Sequence, residues 1–468
     1  MTLLKNIKNR IFSGQIPYYF MVLCLWLLSV EEPAAKYGLK SVTIFRNLLP
    51  VLAAVMFVVR SVHAHKPIKA LFSPECICGI VFALSGMIGW AANRYQRFDI
   101  TAFSLFEHLR FWICIWLFRE SFKVIDLHKY ALKLFVHTAI IGGATVLCGI
   151  ADMIFFIWPR QMFRYGTSSL QLFYGHPSNL GAHCVFLLGM LCILYPHIIE
   201  STARHTEGTA NVLRLQKSNV ASTSAPKRNI YLPQILCILL ILLLLGEIAM
   251  TLRVRLFGFV VFFILLFIWM ILLRKKISFP AVFAGTAAAL AIGWKRLYNF
   301  YFSPFAYTMA RGQFASNSLD LARENLPFGS GFGTFGSRMA QFNYSPLYYR
   351  FNMMITPGMN PAHPSYACDT FFPVIIAESG WLGTAAYAGL IILLLVLILR
   401  IQKTDSAANR HAALAALSML AFEILDAFGA LSFSETYSIM ISMVIGSALA
   451  IGTKANTAAY GSEHVLKG

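Results

Sequence analysis

Two arginines separated by one residue, Arg253 and Arg255, stand in the run MTLRVRLFGF, a short polar break between two long apolar stretches. A guanidinium stays charged at any working pH, and its planar fork matches two phosphate oxygens at once. Such a pair at a membrane surface suits a lipid diphosphate; the alternative is that it anchors the turn among headgroups by snorkelling. Carboxylates recur at similar depth. Glu247 precedes the arginines by about two helical turns, and Glu423 and Asp426, three apart, share a helix face. Acids inside a span face a cavity or a partner rather than lipid, so these either take part in chemistry or neutralise the arginines. Glu107, His108 and Arg110 form a further polar patch, in which Glu107 and Arg110 can pair at i,i+3.

A second store of reactive groups lies in the long connection 295–370, which carries aromatics throughout, the turn NLPFGSGFGTFG at Asn325–Gly336, and HPSYACDTFFPVIIAESGWLG from His363 onward. Connections longer than about 12–15 residues are uncommon unless functional or disordered, and this one is too aromatic for disorder. Gly329, Gly331 and Gly333 permit positive φ and close backbone approach. No Lys-Ser/Thr follows them, so the turn is not a nucleotide-binding loop. Phe342, Tyr344, Tyr348 and Tyr349 offer either sugar-stacking faces or a core for the segment itself.

These groups must be carried by membrane helices. Hydrophobic residues make up 58% of the chain and charged residues 13%, far from a soluble globular composition. About twelve apolar runs are long enough to cross the hydrocarbon core: six within 1–199, three within 232–294 and three within 371–453. Continuous runs rather than alternation make them helices, which satisfy their own backbone hydrogen bonds. The expected fold is an all-α polytopic membrane protein with one large loop at 295–370. A net charge of +19 would suit nucleic acid, but the lysines and arginines cluster at helix ends in alternate connections, where they set orientation. That pattern puts both termini in the cytoplasm and the long loop outside, with no nucleic-acid partner. Met1–Arg10 and the span after it resemble a retained signal-anchor. The polar stretch 200–231, rich in Ser, Thr and Ala, reads as a cytoplasmic linker, and 454–468 as a cytoplasmic tail. The nine cysteines fall mostly inside spans, and Cys76 and Cys78 lack the second pair a metal site needs. No internal repeat is visible, against a repeat-built transporter.

Four segments, in order, resemble the O-antigen ligase and Wzy-type O-antigen polymerase superfamily. RYGTSSLQLFYGHPSNLGAH at Arg164–His183 is similar to a family segment ending in Gly, His/Asn-Pro and Asn, matched by Gly175, His176, Pro177 and Asn179. MTLRVRLFGF resembles the family's Thr/Ser-Arg turn, although Leu252 stands between Thr251 and the arginines. ARGQFASNSLDLARENLPFGSGFGTFG resembles a loop segment with an arginine, here Arg311, ahead of a helix and a glycine turn, here Gly329, Gly331 and Gly333. DTFFPVIIAESGWLG is similar to the closing element and supplies Asp369, Glu378, Gly380 and Gly383. Ligases typically carry histidine where this chain has Asp369, which favours a polymerase; His363 lies six residues earlier.

The resemblance covers the middle and C-terminal two-thirds of the chain. It implies a GT-C-like inverting glycosyltransferase of a bacterial cytoplasmic membrane, joining repeat units carried on undecaprenyl diphosphate into a surface polysaccharide. Arg253 or Arg255, with Arg311, would hold the diphosphate, and Asp369 or else His363 would take the acceptor's proton. His176, Asn179, the three turn glycines, Glu378 and Gly380 would support the site. Neither nucleotide cofactor nor metal is implied; the partners implied are the lipid-linked oligosaccharide, membrane lipid and a chain-length regulator or flippase. The rival readings are a ligase passing finished glycan to lipid A core or protein, a transporter of lipid-linked sugars, and a non-catalytic scaffold.

Overall fold

The structure, a computed structural model, describes residues 14–39, 41–63, 73–160, 163–164, 166–216 and 231–465. Five helices come first: α1 Gln15–Lys36, α2 Ser41–His63, α3 Pro74–Asn93, α4 Phe98–Val124 and α5 Leu127–Phe155. A two-residue hairpin, Phe163–Arg164 with Thr167–Ser168, leads to α6 Pro177–Gln216, then α7 Leu232–Met250, α8 Val254–Phe267 and α9 Phe279–Ile292. The segment 295–370 holds most of the short helix α10 Trp294–Tyr301, together with α11 Ala310–Glu324, α12 Arg338–Phe342 and α13 Pro346–Arg350. The chain closes with α14 Phe372–Ile401, α15 Ala407–Asp426 and α16 Ser438–Val465.

Among the described residues, seven helices are long and apolar enough to cross a membrane: α3, α4, α5, α6 over Pro177–Thr202, α7, α8 prolonged by a π-turn to Leu272, and α14. The chain is an all-α, membrane-embedded protein. Burial sorts these helices into layers. Of the apolar stretch of α6, 83% is buried, against 22% for α3 and 28% for α7 and α14. A helix apolar all round and buried all round belongs at the centre; α15 and α16 pack beside it, with Ala412 to Phe422 and Ile439 to Ile451 almost wholly enclosed. The outer helices turn Leu84, Leu147, Leu242 and Phe283 outward, as lipid-facing helices do.

Two sequence expectations meet a different backbone. Helix α6 runs on to Gln216 and α16 to Val465, where polar composition suggested a linker and a tail. Lack of hydrophobic periodicity says only that a segment does not pack against a core; its Ala, Leu, Glu and Arg residues still favour helix. Residues 217–230 of the expected linker, 1–13 of the expected signal-anchor and 466–468 lie outside the described residues.

The 295–370 segment folds around its own core. Phe314 and Leu321 of α11 meet Phe335, Leu347, Tyr348, Met353 and Met359. Ser337 and Ser345 cap α12 and α13, accepting from Ala340 N and Leu347 N at 3.3 Å each. Tyr348 is wholly buried; its hydroxyl donates to Ala367 O and accepts from Gly336 N, both at 3.0 Å. Tyr348 is therefore a core residue and no sugar platform. Phe342 and Tyr349 are exposed, and Tyr344 is tied through its hydroxyl to Met359 O.

The segment is clasped to α14, which breaks at Gly380 (φ 63°, ψ −168°). A broken helix frees carbonyls that must find donors. The glycine turn provides them: Ser330 N donates to Ala377 O at 2.8 Å and Gly331 N to Glu378 O at 3.0 Å. In return Leu382 N donates to Pro327 O at 3.2 Å. The Glu378 carboxylate completes the clasp, with Oε1 accepting from Phe335 N (3.0 Å) and Ser337 Oγ (2.7 Å) and Oε2 facing His108 Nε2 of α4 at 3.3 Å.

A Cβ at Gly380 would lie 2.4 Å from both Gly329 N and Pro327 O, in a backbone conformation essentially restricted to glycine. Gly380→Ala is expected to cost on the order of 3 kcal/mol. Thermal unfolding in detergent should fall, and trypsin should cut 310–350 faster while the apolar helices stay intact.

Candidate functional site

A cavity of about 420 Å³ opens where α7 turns into α8, beneath the 295–370 segment. The size suits a small-ligand site. Its wall divides by chemistry. Arg253, Arg255, Arg296, Arg311, His176 and Asp369 form the polar side, and Val254, Ala289, Leu290, Gly293 and Leu297 the apolar side, with Phe300 and Phe428 between them.

The α7–α8 turn builds the first half. Thr251 Oγ1 closes α7 by donating to Ile248 O at 2.6 Å, and Leu252 reverses the chain at φ 53°. Arg253 is thereby the N-cap of α8, so the positive end of that helix dipole meets the cavity with the arginines. Arg253 Nη2 donates to His176 Nε2 at 2.6 Å. Arg255 is held from three sides: Nε bonds Asp426 Oδ1 at 2.7 Å, Nη2 donates to Ser178 Oγ at 2.7 Å and Nη1 to Asp426 O at 3.3 Å. Asp426 in turn accepts from the Tyr437 hydroxyl. Asp426 thus neutralises Arg255, one of the two roles its spacing left open.

The long segment supplies the second half. Arg311, on the first turn of α11, donates through Nε (3.0 Å) and Nη2 (2.6 Å) to Asp369, and both bonds converge on Oδ2. Oδ1 keeps its lone pairs for another proton. The Arg311 guanidinium also lies 4.7 Å over the Phe300 ring. Burial pushes the Asp369 carboxyl above the usual carboxylate range, while the charge and hydrogen bonds of Arg311 pull it back.

Five residues singled out in the sequence thus converge on one cavity: Arg253, Arg255, Arg311, Asp369 and His176. Others do not reach it. His363 is exposed, with its N donating to Asn360 O at 2.9 Å; of the two residues, Asp369 is the one that lines this cavity. Asn179 turns away to Glu32 of α1. Glu378, Gly380, Gly329 and Gly331 make the clasp, and Gly333 packs toward Ile100 of α4. Glu247 is buried against Cys184, whose Sγ donates to its Oε2 at 3.4 Å, and Glu423 is buried against Ser432. Arg110 reaches Ser434 O, and Arg338 pairs with Glu435 at 2.6 Å, tying α12 to the connection ahead of α16.

Arg296, Tyr366 and Gly429 are cavity residues that spacing did not reveal. Trp-Lys-Arg-Leu directly after a span is the signal for an interfacial helix that could have pointed to Arg296. Gly429 carries no local signal. A Cβ there would lie 2.9 Å from Arg255 Nη1 and 3.6 Å from both Arg311 Nη atoms, so its missing side chain is the space between the two guanidinium groups.

No family model and no curated protein matches this chain.

Gly429→Ala fills the space between two guanidinium groups, one of them held by three bonds. Affinity for inorganic pyrophosphate, measured by calorimetry, is expected to fall by about tenfold.

Proposed function

We propose that the chain is a polymerase of polyprenyl-diphosphate-linked oligosaccharides, joining repeat units of a surface polysaccharide by inverting glycosyl transfer at the outer face of a bacterial cytoplasmic membrane. In this reading some twelve helices cross the bilayer, the termini are cytoplasmic, the 295–370 segment is outside, and the architecture is GT-C-like. The observation that carries the reading is the charge of the cavity. Four arginines, Arg253, Arg255, Arg296 and Arg311, stand against two aspartates, Asp369 and Asp426. Guanidinium groups converging on one cavity suit the phosphate oxygens of a sugar–diphosphate–lipid diester, which carries two negative charges.

Charge balances through the reaction. The acceptor hydroxyl attacks the anomeric carbon, its proton passes to Asp369 Oδ1, and the bond from that carbon to the phosphate oxygen breaks with its electron pair left on the phosphate. The departing polyprenyl diphosphate gains one negative charge. Asp369, once protonated, no longer neutralises Arg311, so the cavity gains one positive charge at that step. The guanidinium is stabilising where charge develops, and the base and the electrophilic group are coupled through one hydrogen-bonded pair. The aspartate in place of a ligase histidine supports polymerisation over transfer of finished glycan.

The test is purified protein in liposomes supplied with the host's polyprenyl-diphosphate-linked repeat unit and no nucleotide. A ladder of longer lipid-linked glycans is expected. Arg311→Ala and Asp369→Ala should each lower the rate by about a hundredfold or more. Arg323→Ala should be mild, since Arg323 is exposed and pairs with Asp320 at 3.5 Å. Movement of the lipid-linked sugar across the bilayer without a ladder would instead mean a transporter.

The pH profile gives a second check. Asp369 works as a base only when ionised, so activity is present above its pKa in the folded protein and lost as pH falls through it. Arg311→Gln removes the charge that pulls that pKa down, so residual activity should show its acid limb displaced to higher pH, and Arg311→Lys should displace it less.

A further inference from the structure

Helix α9 has 14 residues and so rises about 21 Å, well short of the roughly 30 Å of a hydrocarbon core. It begins just after the basic run Arg274–Lys276, which belongs at the cytoplasmic surface in the orientation proposed above. Its far end, Gly293, therefore lies within the outer leaflet. The chain turns there into α10, whose two faces differ. Trp294, Tyr298 and the adjoining Phe302 are exposed in a row, with ring centroids 6.4 Å apart for Trp294–Tyr298 and 6.0 Å for Trp294–Phe302. On the opposite face Arg296, Leu297 and Phe300 line the arginine cavity. Three adjacent exposed aromatics are costly in water but suit the boundary between acyl chains and headgroups.

The cavity reaches down between these helices. Ala289, Leu290 and Gly293 of the last turns of α9 form its floor, beside Val254 of α8. Helix α9 stands at the periphery, with Phe283, Ala287 and Ala291 exposed. The Tyr301 hydroxyl donates to Phe428 O at 2.8 Å and holds α10 across the cavity from α15.

We infer that α9 and α10 frame a lateral portal through which the polyprenyl diphosphate slides from the outer leaflet into the arginine cavity, its isoprenoid chain remaining in lipid along α9. The inference rests on the polymerase reading for its ligand and on the geometry above for its location. The diphosphate enters beneath Arg296 at headgroup depth, and the chain never has to leave hydrocarbon for water. The aromatic row holds the lintel of the portal at that depth.

A benzoyl-phenylalanine placed at Phe302, and in a second protein at Leu84, tests the location without catalysis. Leu84 is also exposed, 55% against 65% for Phe302, but lies on α3, which packs against α14 and α4. The full chain in liposomes is irradiated with tritiated undecaprenyl diphosphate carrying no sugar. The expected result is labelling at position 302 several-fold above position 84, abolished by excess unlabelled lipid. Equal labelling at both positions, or none at 302 that competes, overturns the portal. Specific labelling without any glycan ladder would sink the polymerase reading and leave the portal, whereas a ladder with equal labelling would do the reverse. A kinetic readout completes the test. Trp294→Glu with Phe302→Glu should raise KM for the long-chain donor by about tenfold and leave that for a water-soluble farnesyl-tailed donor unchanged; equal loss with both donors overturns the inference.

Discussion

A helix that breaks inside a packed structure must find partners for the backbone groups it frees, and α14 finds them in the glycine turn. The arrangement of the cavity depends on that exchange. Asp369 lies three residues ahead of α14, and α11, which carries Arg311, packs along the same helix. If Ala377 O and Glu378 O lost the turn's N–H groups, the segment bearing one half of the site would no longer be indexed against the α7–α8 turn bearing the other. The Glu378 carboxylate reinforces this. It is wholly buried and bridges the loop to His108 of α4, so three separate parts of the chain meet at one acid.

Electrostatics explain why the site can exist before any ligand arrives. Partly buried guanidinium groups are tolerated only when paired and hydrogen-bonded. Asp426 does this for Arg255 with the help of Tyr437, and Asp369 does it for Arg311. The two pairs differ in a way that matters. Asp426 is fully enclosed and both its oxygens meet protein partners, whereas Asp369 accepts both its bonds at one oxygen and lies at the cavity wall. One pair is scaffold and the other can change state.

The sequence disclosed some of this and hid the rest for physical reasons. Helices were legible because hydrocarbon demands continuous apolar runs, and the structure has helices where those runs stand. Arg253, Arg255, Arg311 and Asp369 were legible as chemistry because charged groups bordering membrane spans are costly enough to need a reason. Which side a residue faces was not legible. His363 and Asp369 are six apart, Tyr348 and Tyr349 are neighbours, and in each pair one member is turned inward and the other toward solvent. That choice is made by packing within a segment whose core residues, Phe314, Phe335, Tyr348 and Met359, come from four separate turns. Asn179 was similarly misplaced because its partner Glu32 lies 147 residues away. Gly429 could not have been found from spacing at all, since its role is the volume it leaves between two side chains fixed elsewhere.

The self-contained core of the 295–370 segment has a consequence for how such a protein can diversify. Most of its interior contacts are among its own residues, and main-chain bonds, Glu378, Phe332 and the Arg338–Glu435 pair attach it to the bundle. Side chains on its rim, such as Phe342, Tyr349 and Ile355, are exposed and carry little of that burden. They are free to drift. A lineage can therefore change the surface this segment presents by altering the rim, while inheriting the arginine cavity and the apolar frame unaltered.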